Sequence, residues 1–282
     1  MAVTDFKDLV RFTVPRSIRN WLRSPKRSLV RLSDMAKFSL GITRSLQVTP
    51  DITVILHPHA FKVARREQVL DPEQRTEVLN FIGHCDSGMV FFDIGAHYGI
   101  FSLLAAHLGA RVVAVDPSAV AVRMIARQAR LNHQTERIHP VHAAASNNSG
   151  TLEMLGSGAF SDDYFKLAAG RAPRELMKVR AVTIDSLTAE FGVPTHIKID
   201  VEGQEAAVLR GAHQTLMQHS PKLFLELHNQ LISQDGGNPY AALDELRDLG
   251  YGTFSLEGLP LDRELIMQRT LIRIVASRAA DV

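Results

Sequence analysis

The sequence contains very little cysteine: Cys85 is the only one among 282 residues. One thiol cannot form an internal disulfide or, alone, a thiolate metal site, so we expect a reducing compartment. No apolar run approaches the roughly 20 residues of a membrane-spanning helix, and the N-terminus lacks the uninterrupted apolar core of a signal peptide. We therefore expect a cytoplasmic protein rather than a secreted or membrane-spanning one.

Internal repeats and low-complexity stretches are also absent from the sequence. Apolar residues make up 45% of the chain and charged residues 22%, which is typical of a globular protein. The length of 282 residues suffices for one large α/β domain and an additional segment.

Positive charge is concentrated near the N-terminus. Residues 1–45 carry ten basic and three acidic side chains, a net charge of +7, whereas the remainder of the chain has a net charge of −5. Apolar residues are interleaved with these charges, so one interpretation is a helix that contacts an anionic membrane surface. The other is a helical extension that packs on the domain, because Pro15 and Pro25 interrupt any long amphipathic face. We predict a basic helical N-terminal extension, residues 1–50, and one domain, residues 51–282.

From residue 51 onward, short apolar runs alternate with helical patterns. The predicted helices are 71–82, 99–108, 117–131, 203–218 and 239–249. The predicted core strands are 51–56, 89–94, 111–116, 138–144, 195–200 and 222–228, with two hairpin or edge strands at 151–155 and 179–183. Strands that alternate with helices form a doubly wound α/β sheet, mostly parallel. The last two strands, 251–256 and 270–277, have no helical pattern between them and predict an antiparallel C-terminal edge.

The strand at 89–94 is followed by a tight turn that contains Gly95 and Gly99 and then by a helix. This succession opens many nucleotide-binding sheets. Glycine lets the backbone turn sharply and approach a ligand closely, and the helix N-terminus offers N–H groups. The spacing is Asp-x-Gly-x-x-x-Gly, beginning at Asp93, and not the Gly-x-Gly-x-x-Gly of NAD-binding proteins. The acid suits a ligand with an ammonium group, as in S-adenosylmethionine.

Acidic residues end four of the predicted core strands: Asp93, Asp116, Asp200 and Glu226. Ligands of such sheets bind beyond the carboxyl ends of the strands. A strand that is buried on both faces tolerates charge poorly, so the recurrence favours a functional role. At the end of the strand 111–116, Asp116 is placed to accept both hydroxyls of a ribose. The alternative role for Asp116 is to cap the helix that begins at Pro117.

Four segments, in this order, resemble the FkbM family of S-adenosylmethionine-dependent methyltransferases. They are residues 92–99 (Phe-Asp-Ile-Gly-Ala-His-Tyr-Gly), 183–187 (Thr-Ile-Asp-Ser-Leu), 197–203 (Ile-Lys-Ile-Asp-Val-Glu-Gly) and 205–212 (Glu-Ala-Ala-Val-Leu-Arg-Gly-Ala). The resemblance covers about residues 85–230 and leaves residues 1–50 outside. It implies a Rossmann-like methyltransferase sheet and O-methylation of a sugar, a glycolipid or polysaccharide, or a polyketide-type acceptor.

The same resemblance implies the residues that bind the cofactor. It assigns S-adenosylmethionine contacts to Asp93, Gly95 and Gly99, and the ribose to Asp116. His97 lies in the same glycine turn, and we include it with the cofactor-binding residues. In the family an acid that follows the strand corresponding to 138–144 usually binds the adenine edge. This chain has Asn147 there, and an amide still hydrogen-bonds adenine.

Methyl transfer to a hydroxyl requires an in-line arrangement of three atoms and removal of the hydroxyl proton. Lys198 and Asp200 alternate along one strand and share a face, as do Glu226 and His228 on the next strand. We predict these four as catalytic residues, with Asp200 as the general base. The alternative is a structural Lys–Asp pair and a core histidine. We assign no metal ligands, although Asp200, Glu226 and His228 are of the types that also hold a divalent cation.

Three other functions are weighed. A nucleic-acid amino-methyltransferase would have an Asn/Asp-Pro-Pro-Tyr turn after the strand 195–200. This chain has Asp-Val-Glu-Gly there, at residues 200–203. Residues 238–240, Asn-Pro-Tyr, are better interpreted as the start of a helix. A dehydrogenase is opposed by the missing third glycine and by Asp93. A non-catalytic S-adenosylmethionine-binding module stays open. We therefore expect a carbohydrate or natural-product acceptor, no nucleic-acid partner, and peripheral membrane contact only through the basic N-terminus.

Overall fold

The computed structural model describes residues 40, 42–65, 71–155, 166–167 and 176–278. The predicted basic helix of the N-terminal extension, and with it the predicted membrane contact, lies outside the described residues. Within the described residues, none of the helices is both long enough and apolar enough to cross a membrane.

The described elements alternate as the sequence predicts. The helices are α1 (Pro58–Arg65), α2 (Pro72–Gly83), α3 (Ile100–His107), α4 (Ala119–Leu131), α5 (Ile184–Phe191), α6 (Glu205–Arg210), α7 (His213–His219), α8 (Asn229–Gln234), α9 (Ala241–Asp248) and α10 (Arg263–Met267). The strands are β1 (Arg44–Gln47), β2 (Thr53–Leu56), β3 (Val90–Ile94), β4 (Arg111–Asp116), β5 (Ile138–His142), β6 (Ala144–Ala145), β7 (Gly150–Leu155), β8 (Lys166–Leu167), β9 (Leu176–Val182), β10 (His196–Ile199), β11 (Lys222–Leu227), β12 (Tyr251–Phe254) and β13 (Ile272–Arg278). Helices α1, α5, α8 and α10 were not predicted, because five to eight residues are too few for a clear periodic pattern.

A seven-stranded sheet in the order β12-β13-β11-β10-β3-β4-β5 forms the centre of the structure. Strands β11, β10, β3, β4 and β5 are parallel to one another, and β13 pairs antiparallel with both β11 and β12. The predicted doubly wound, mostly parallel sheet with an antiparallel C-terminal edge is therefore confirmed. The carboxyl ends of β3, β4, β10 and β11 meet at one edge, which brings the predicted acids together.

Both faces of this sheet are covered by apolar side chains. Phe91 and Phe224 belong to one core cluster, whereas their chain neighbours Phe92 and Leu225 belong to the other. This follows from the strand geometry, since successive side chains point to opposite faces. On the first face, the ring of Phe81 lies 4.8 Å from that of Phe91 and 5.3 Å from that of Phe224. Each fully buried side chain of this size contributes roughly 1.5–3 kcal/mol to folding.

Residues 203–218, predicted as one helix, form the two short helices α6 and α7. Gly211 separates them, and a Cβ at this position would lie 2.1 Å from the carbonyl oxygen of Ser146. The carboxylate of Asp185 accepts the backbone N–H of Thr215 at 2.8 Å and so caps the first turn of α7. The prediction of a continuous helix was wrong because both constraints come from distant parts of the chain.

Two smaller sheets flank the central one. Strands β7 and β9 pair antiparallel, in agreement with the predicted hairpin, within a sheet of order β6-β9-β7-β8. Strands β1 and β2 pair antiparallel, so the hairpin that they form spans residue 50. Helix α1 follows directly and lies beside the carboxyl edge of the central sheet, where Ala60, Val63 and Ala64 line the same cleft as the ends of β10 and β11.

Candidate active site

A cleft of about 590 Å³, open to solvent, lies at the carboxyl ends of β3, β10 and β11. Helices α1 and α2 form one wall, and the turn between β3 and α3 forms another. Six of the ten predicted site residues line it: Asp93, Gly95, His97, Lys198, Asp200 and Glu226. His228 lies behind Asp200, with Nε2 at 3.8 Å from Asp200 Oδ1. Gly99, Asp116 and Asn147 do not line the cleft.

The glycine turn after β3 is shaped by its protein neighbours. Gly95 has φ +82°, and a Cβ there would lie 1.8 Å from the backbone oxygen of Asp200. This glycine was predicted to allow the close approach of a ligand, but the backbone of the neighbouring strand end already requires it. Gly99 has φ +76° and begins α3, where a Cβ would lie 2.9 Å from Ile125 Cγ1. The turn therefore tolerates no side chain at either position.

Asp93 is buried at the base of the cleft. Ser102, on the first turn of α3, donates its hydroxyl to Asp93 Oδ2 at 2.6 Å. Burial raises the pKa of Asp93 to about 6, against the lowering effects of Lys198 and of the Ser102 hydrogen bond. Ser102 was not among the predicted site residues; it lies in the first turn of α3, beside the end of β3.

Asp116 joins the ends of two neighbouring strands. Its Oδ2 accepts the backbone N–H of His97 at 2.8 Å, and its Oδ1 accepts that of Ser118 at 2.7 Å. The cap of α4 is Ser118, whose hydroxyl accepts the N–H of Ala121. Burial raises the pKa of Asp116 to about 7, although these two hydrogen bonds lower it. A carboxylate accepts up to about four hydrogen bonds, so the predicted ribose contact stays compatible with this arrangement.

The other two predicted cofactor residues differ in their surroundings. His97 has φ +50°, in the left-handed region, and its ring stacks on Tyr98 at 3.9 Å beside the cleft. Asn147 is exposed, and its Oδ1 accepts the hydroxyl of Ser146 at 3.2 Å. The adenine contact of Asn147 stays a prediction.

Lys198 is the buried cation of the cleft. Its Nζ lies 3.1 Å from Asp200 Oδ2 and 3.7 Å from Glu77 Oε1, and 4.7 Å above the ring of Phe101. Burial lowers the pKa of Lys198, but the carboxylates of Asp200, Glu77 and Glu226 outweigh burial and raise it above its ordinary value. Lys198 therefore stays charged, as a buried lysine with several carboxylate partners must.

His228 completes the group around Asp200. Its Nδ1 lies 2.7 Å from Glu205 Oε1, and its Nε2 lies 3.7 Å from Glu202 Oε2. Burial lowers the pKa of His228, but the hydrogen bond to Glu205 and the surrounding carboxylates raise it to about 9. Burial raises the pKa of Asp200, but Lys198 and His228 together bring it below its ordinary value. The two predicted pairs thus meet as one charged network.

This geometry was compared with known proteins. The family model for the methyltransferase FkbM domain matches residues 93–252, more than half of the chain. The chain belongs to the FkbM methyltransferase family. The cleft at the carboxyl edge of the sheet is lined by residues of this FkbM domain, from Asp93 to Glu226, and by residues of α1 and α2 that precede it.

Several solved structures are similar to this FkbM protein. A methyltransferase FkbM from Methylobacillus flagellatus KT has 18% identity and a TM-score of 0.44, covering 77% of this chain and 58% of that one. A precorrin-6y C5,15-methyltransferase from Geobacter metallireducens GS-15 has 13% identity and a TM-score of 0.42, covering 74% of this chain and 90% of that one. An O-methyltransferase from Bacillus cereus in complex with SAH has 12% identity and a TM-score of 0.41, covering 77% of this chain and 86% of that one. Our chain thus spans less than two thirds of the M. flagellatus protein. The comparison with curated protein sequences gives no match.

Two residues outside the FkbM match complete the site, and neither was predicted. Arg273 of β13 donates to Glu226 Oε1 at 2.9 Å and to Glu77 Oε2 at 2.9 Å. Burial and the charge of Asp200 raise the pKa of Glu226 to about 8, against the effects of Lys198 and Arg273. The available signal for Arg273 was a charged residue inside the apolar run of β13. The signal for Glu77 was an acid next to the buried Val78 on α2.

The FkbM site carries more acidic than basic groups. We use the name acidic cluster for its six carboxylates: Glu77, Asp93, Asp200, Glu202, Glu205 and Glu226. They surround three basic groups: Lys198, His228 and Arg273. Since buried charges require partners, this excess favours a cationic ligand in the cleft.

Proposed function

We propose that this FkbM methyltransferase transfers a methyl group from S-adenosylmethionine to a hydroxyl of a sugar, a glycolipid or polysaccharide, or a polyketide-type acceptor. The observation that carries the proposal is the acidic cluster at the carboxyl edge of the sheet. S-adenosylmethionine carries a sulfonium and an ammonium group, and both match an excess of carboxylates. When bound, the cofactor supplies an electrophilic methyl group beside this edge.

Two buried carboxylates support the cofactor assignment. Asp93 and Asp116 are only 2% and 7% exposed, yet among the described residues no basic side chain lies within 4.0 Å of either carboxylate. The hydrogen bonds from Ser102 to Asp93 and from two backbone N–H groups to Asp116 offset part of the cost of burial, and a cationic or hydrogen-bonding ligand would offset more. We assign the ammonium group of the cofactor to Asp93 and its ribose hydroxyl groups to Asp116. The residues present therefore fit S-adenosylmethionine.

Asp200 is the carboxylate best placed to act on the acceptor. Its side chain is 29% exposed, whereas those of Lys198 and Glu226 are 4% and 9% exposed. An acceptor hydroxyl can therefore reach Asp200, which takes the hydroxyl proton while Lys198 holds the carboxylate in place at 3.1 Å. A positioned base of this kind is what a weakly acidic hydroxyl requires.

The side of the cleft that α1 forms supports a neutral acceptor. Ala60, Val63 and Ala64 of α1 present an apolar surface to the cleft, and Phe101 lies beneath Lys198. Sugars and polyketides combine hydroxyl groups with apolar C–H faces, so they match a surface that is apolar on one side and charged on the other. The acidic cluster disfavours acceptors with phosphate or carboxylate groups near the reacting hydroxyl.

Binding and turnover test the proposal separately. We expect calorimetry to detect binding of S-adenosylmethionine and no binding of NAD, because the acid of the glycine turn repels a pyrophosphate. Incubation with labelled S-adenosylmethionine and a panel of sugars, glycolipids and polyketides should then release S-adenosylhomocysteine and an O-methylated product. Binding of NAD alone contradicts the cofactor assignment. An N-methylated product, or cofactor binding without transfer to any acceptor, supports the alternatives of an amino-methyltransferase or a binding module.

Asp116→Asn is expected to weaken S-adenosylmethionine binding by about 1–3 kcal/mol, because a neutral amide replaces a charged hydrogen-bond acceptor. Calorimetry on the folded variant measures this effect. Asp262→Asn is the matched control, because Asp262 also accepts a backbone N–H, that of Leu265 at 2.7 Å, but lies at the start of α10. The control should bind like wild type. Normal affinity for S-adenosylmethionine in folded Asp116→Asn would mean that Asp116 only holds together the turns after β3 and β4.

A further inference from the structure

The two ring nitrogens of His228 have different surroundings. Nδ1 lies 2.7 Å from Glu205 Oε1, an oxygen that also accepts the backbone N–H of Gly203 at 3.0 Å. Glu205 is fully buried, so the carboxylate is held in one position and fixes the orientation of the imidazole. A metal-binding histidine usually donates its other ring N–H to a carboxylate in this way, which makes the remaining nitrogen a better ligand.

Nε2 faces three carboxylate oxygens. It lies 3.8 Å from Asp200 Oδ1, 3.7 Å from Glu202 Oε2 and 4.0 Å from Glu226 Oε1. His228 as a residue is only 5% exposed, and each of these three oxygens lies beyond hydrogen-bond distance of Nε2. Oxygens at 3.7–4.0 Å are too far from this nitrogen for a direct hydrogen bond, and the spacing leaves room for an ion between them.

We propose that Asp200, Glu226 and His228 bind a divalent cation, with Glu202 beside them and Glu205 as the residue that orients His228. Ligand atoms of the first three lie within 4.8 Å of one another. Ligands on opposite sides of a cation are about 4–5 Å apart when each bond is about 2.0–2.6 Å long, so the spacing fits one ion. The site lies at the cleft, because Asp200 and Glu226 both line it.

The donor set indicates the kind of ion and its effect. Carboxylates suit Mg²⁺, Ca²⁺ and Mn²⁺, and imidazole suits first-row transition metals, so Mn²⁺ is a suitable probe because it accepts both kinds of donor. A cation here would hold the acceptor oxygen beside Asp200 and lower the pKa of its hydroxyl. This role rests on the proposed function, but the binding of the ion does not.

Titration of the wild-type protein with Mn²⁺, without cofactor or acceptor, tests the site. Loss of the free-ion signal in electron paramagnetic resonance, together with calorimetry, should show one site per chain. Affinity should fall at least about tenfold in His228→Ala and Glu226→Gln, and about 10–100-fold in Glu205→Gln, which removes only the orienting charge. His107→Ala and Glu136→Gln are matched controls, since both residues are exposed at the opposite edge of the sheet, and should bind like wild type.

The wild-type measurement decides the matter even where a variant does not fold. Absence of saturable Mn²⁺ binding at millimolar concentration, or unchanged binding in folded His228→Ala, overturns the inference and leaves a His228 imidazolium paired with the carboxylates. Mn²⁺ binding by a protein that transfers no methyl group overturns the proposed function and keeps the metal site. Methyl transfer that persists in a chelator, together with absence of Mn²⁺ binding, overturns the metal site alone.

Discussion

Asp200→Asn is expected to lower the rate of methyl transfer at least about a hundredfold, the lower range for the loss of a positioned general base. Asparagine keeps the shape of the side chain and its hydrogen-bonding capacity, but it does not take a proton from the acceptor hydroxyl. Affinity for S-adenosylmethionine should stay near that of wild type, because the predicted contacts of the cofactor lie in the turn after β3 and at Asp116. Release of S-adenosylhomocysteine with a confirmed acceptor measures the rate, and calorimetry measures the affinity.

Asp244→Asn provides the matched control for this experiment. Asp244 is also an aspartate paired with basic side chains, Arg263 and Arg247, but it lies on α9 away from the cleft. Its replacement should leave methyl transfer unchanged. A wild-type rate in Asp200→Asn would place the base elsewhere, with Glu226 or His97 as the next candidate. A loss of cofactor affinity equal to the loss of rate would indicate a binding role for Asp200.

Gly95→Val is expected to lower the free energy of unfolding by about 2–5 kcal/mol, and cofactor binding should be lost with it. A side chain at φ +82° costs about 1–2 kcal/mol, and forcing atoms into a packed position costs about 1–3 kcal/mol more. The neighbouring backbone cannot move away easily, because the N–H of Asp200 is bonded to the oxygen of Ile94 at 3.0 Å. Urea denaturation measures the change.

Gly258 offers a control with the same backbone conformation. It also has φ +82°, but a Cβ at this position would have no atom within 4 Å. Gly258→Val should therefore lose only the conformational part, about 1–2 kcal/mol. Equal losses in the two variants would mean that the contact between Gly95 and the Asp200 backbone imposes no constraint of its own.

The sequence by itself determined the architecture and the position of the cleft. Apolar runs alternating with helical patterns predicted a parallel sheet, and β4 was predicted with its observed bounds, 111–116. Acids at the ends of four strands, β3, β4, β10 and β11, were predicted to lie at one edge, and those of β3, β10 and β11 line the cleft. Alternation along a strand also predicted that Lys198 and Asp200 share a face, and their 3.1 Å contact agrees. All of these inferences depend on local periodicity.

Only the tertiary structure decided the contacts between segments that are distant in the chain. Arg273 and Glu77 are separated by 196 positions, yet their side chains are 2.9 Å apart and support Glu226. The break between α6 and α7 depends on Ser146 and Asp185, and the need for glycine at position 95 depends on the backbone of Asp200. Periodicity records which face of an element is buried but not which partner it meets. The partner is selected when the whole core packs, and so the charge balance of the cleft becomes visible only in the folded chain.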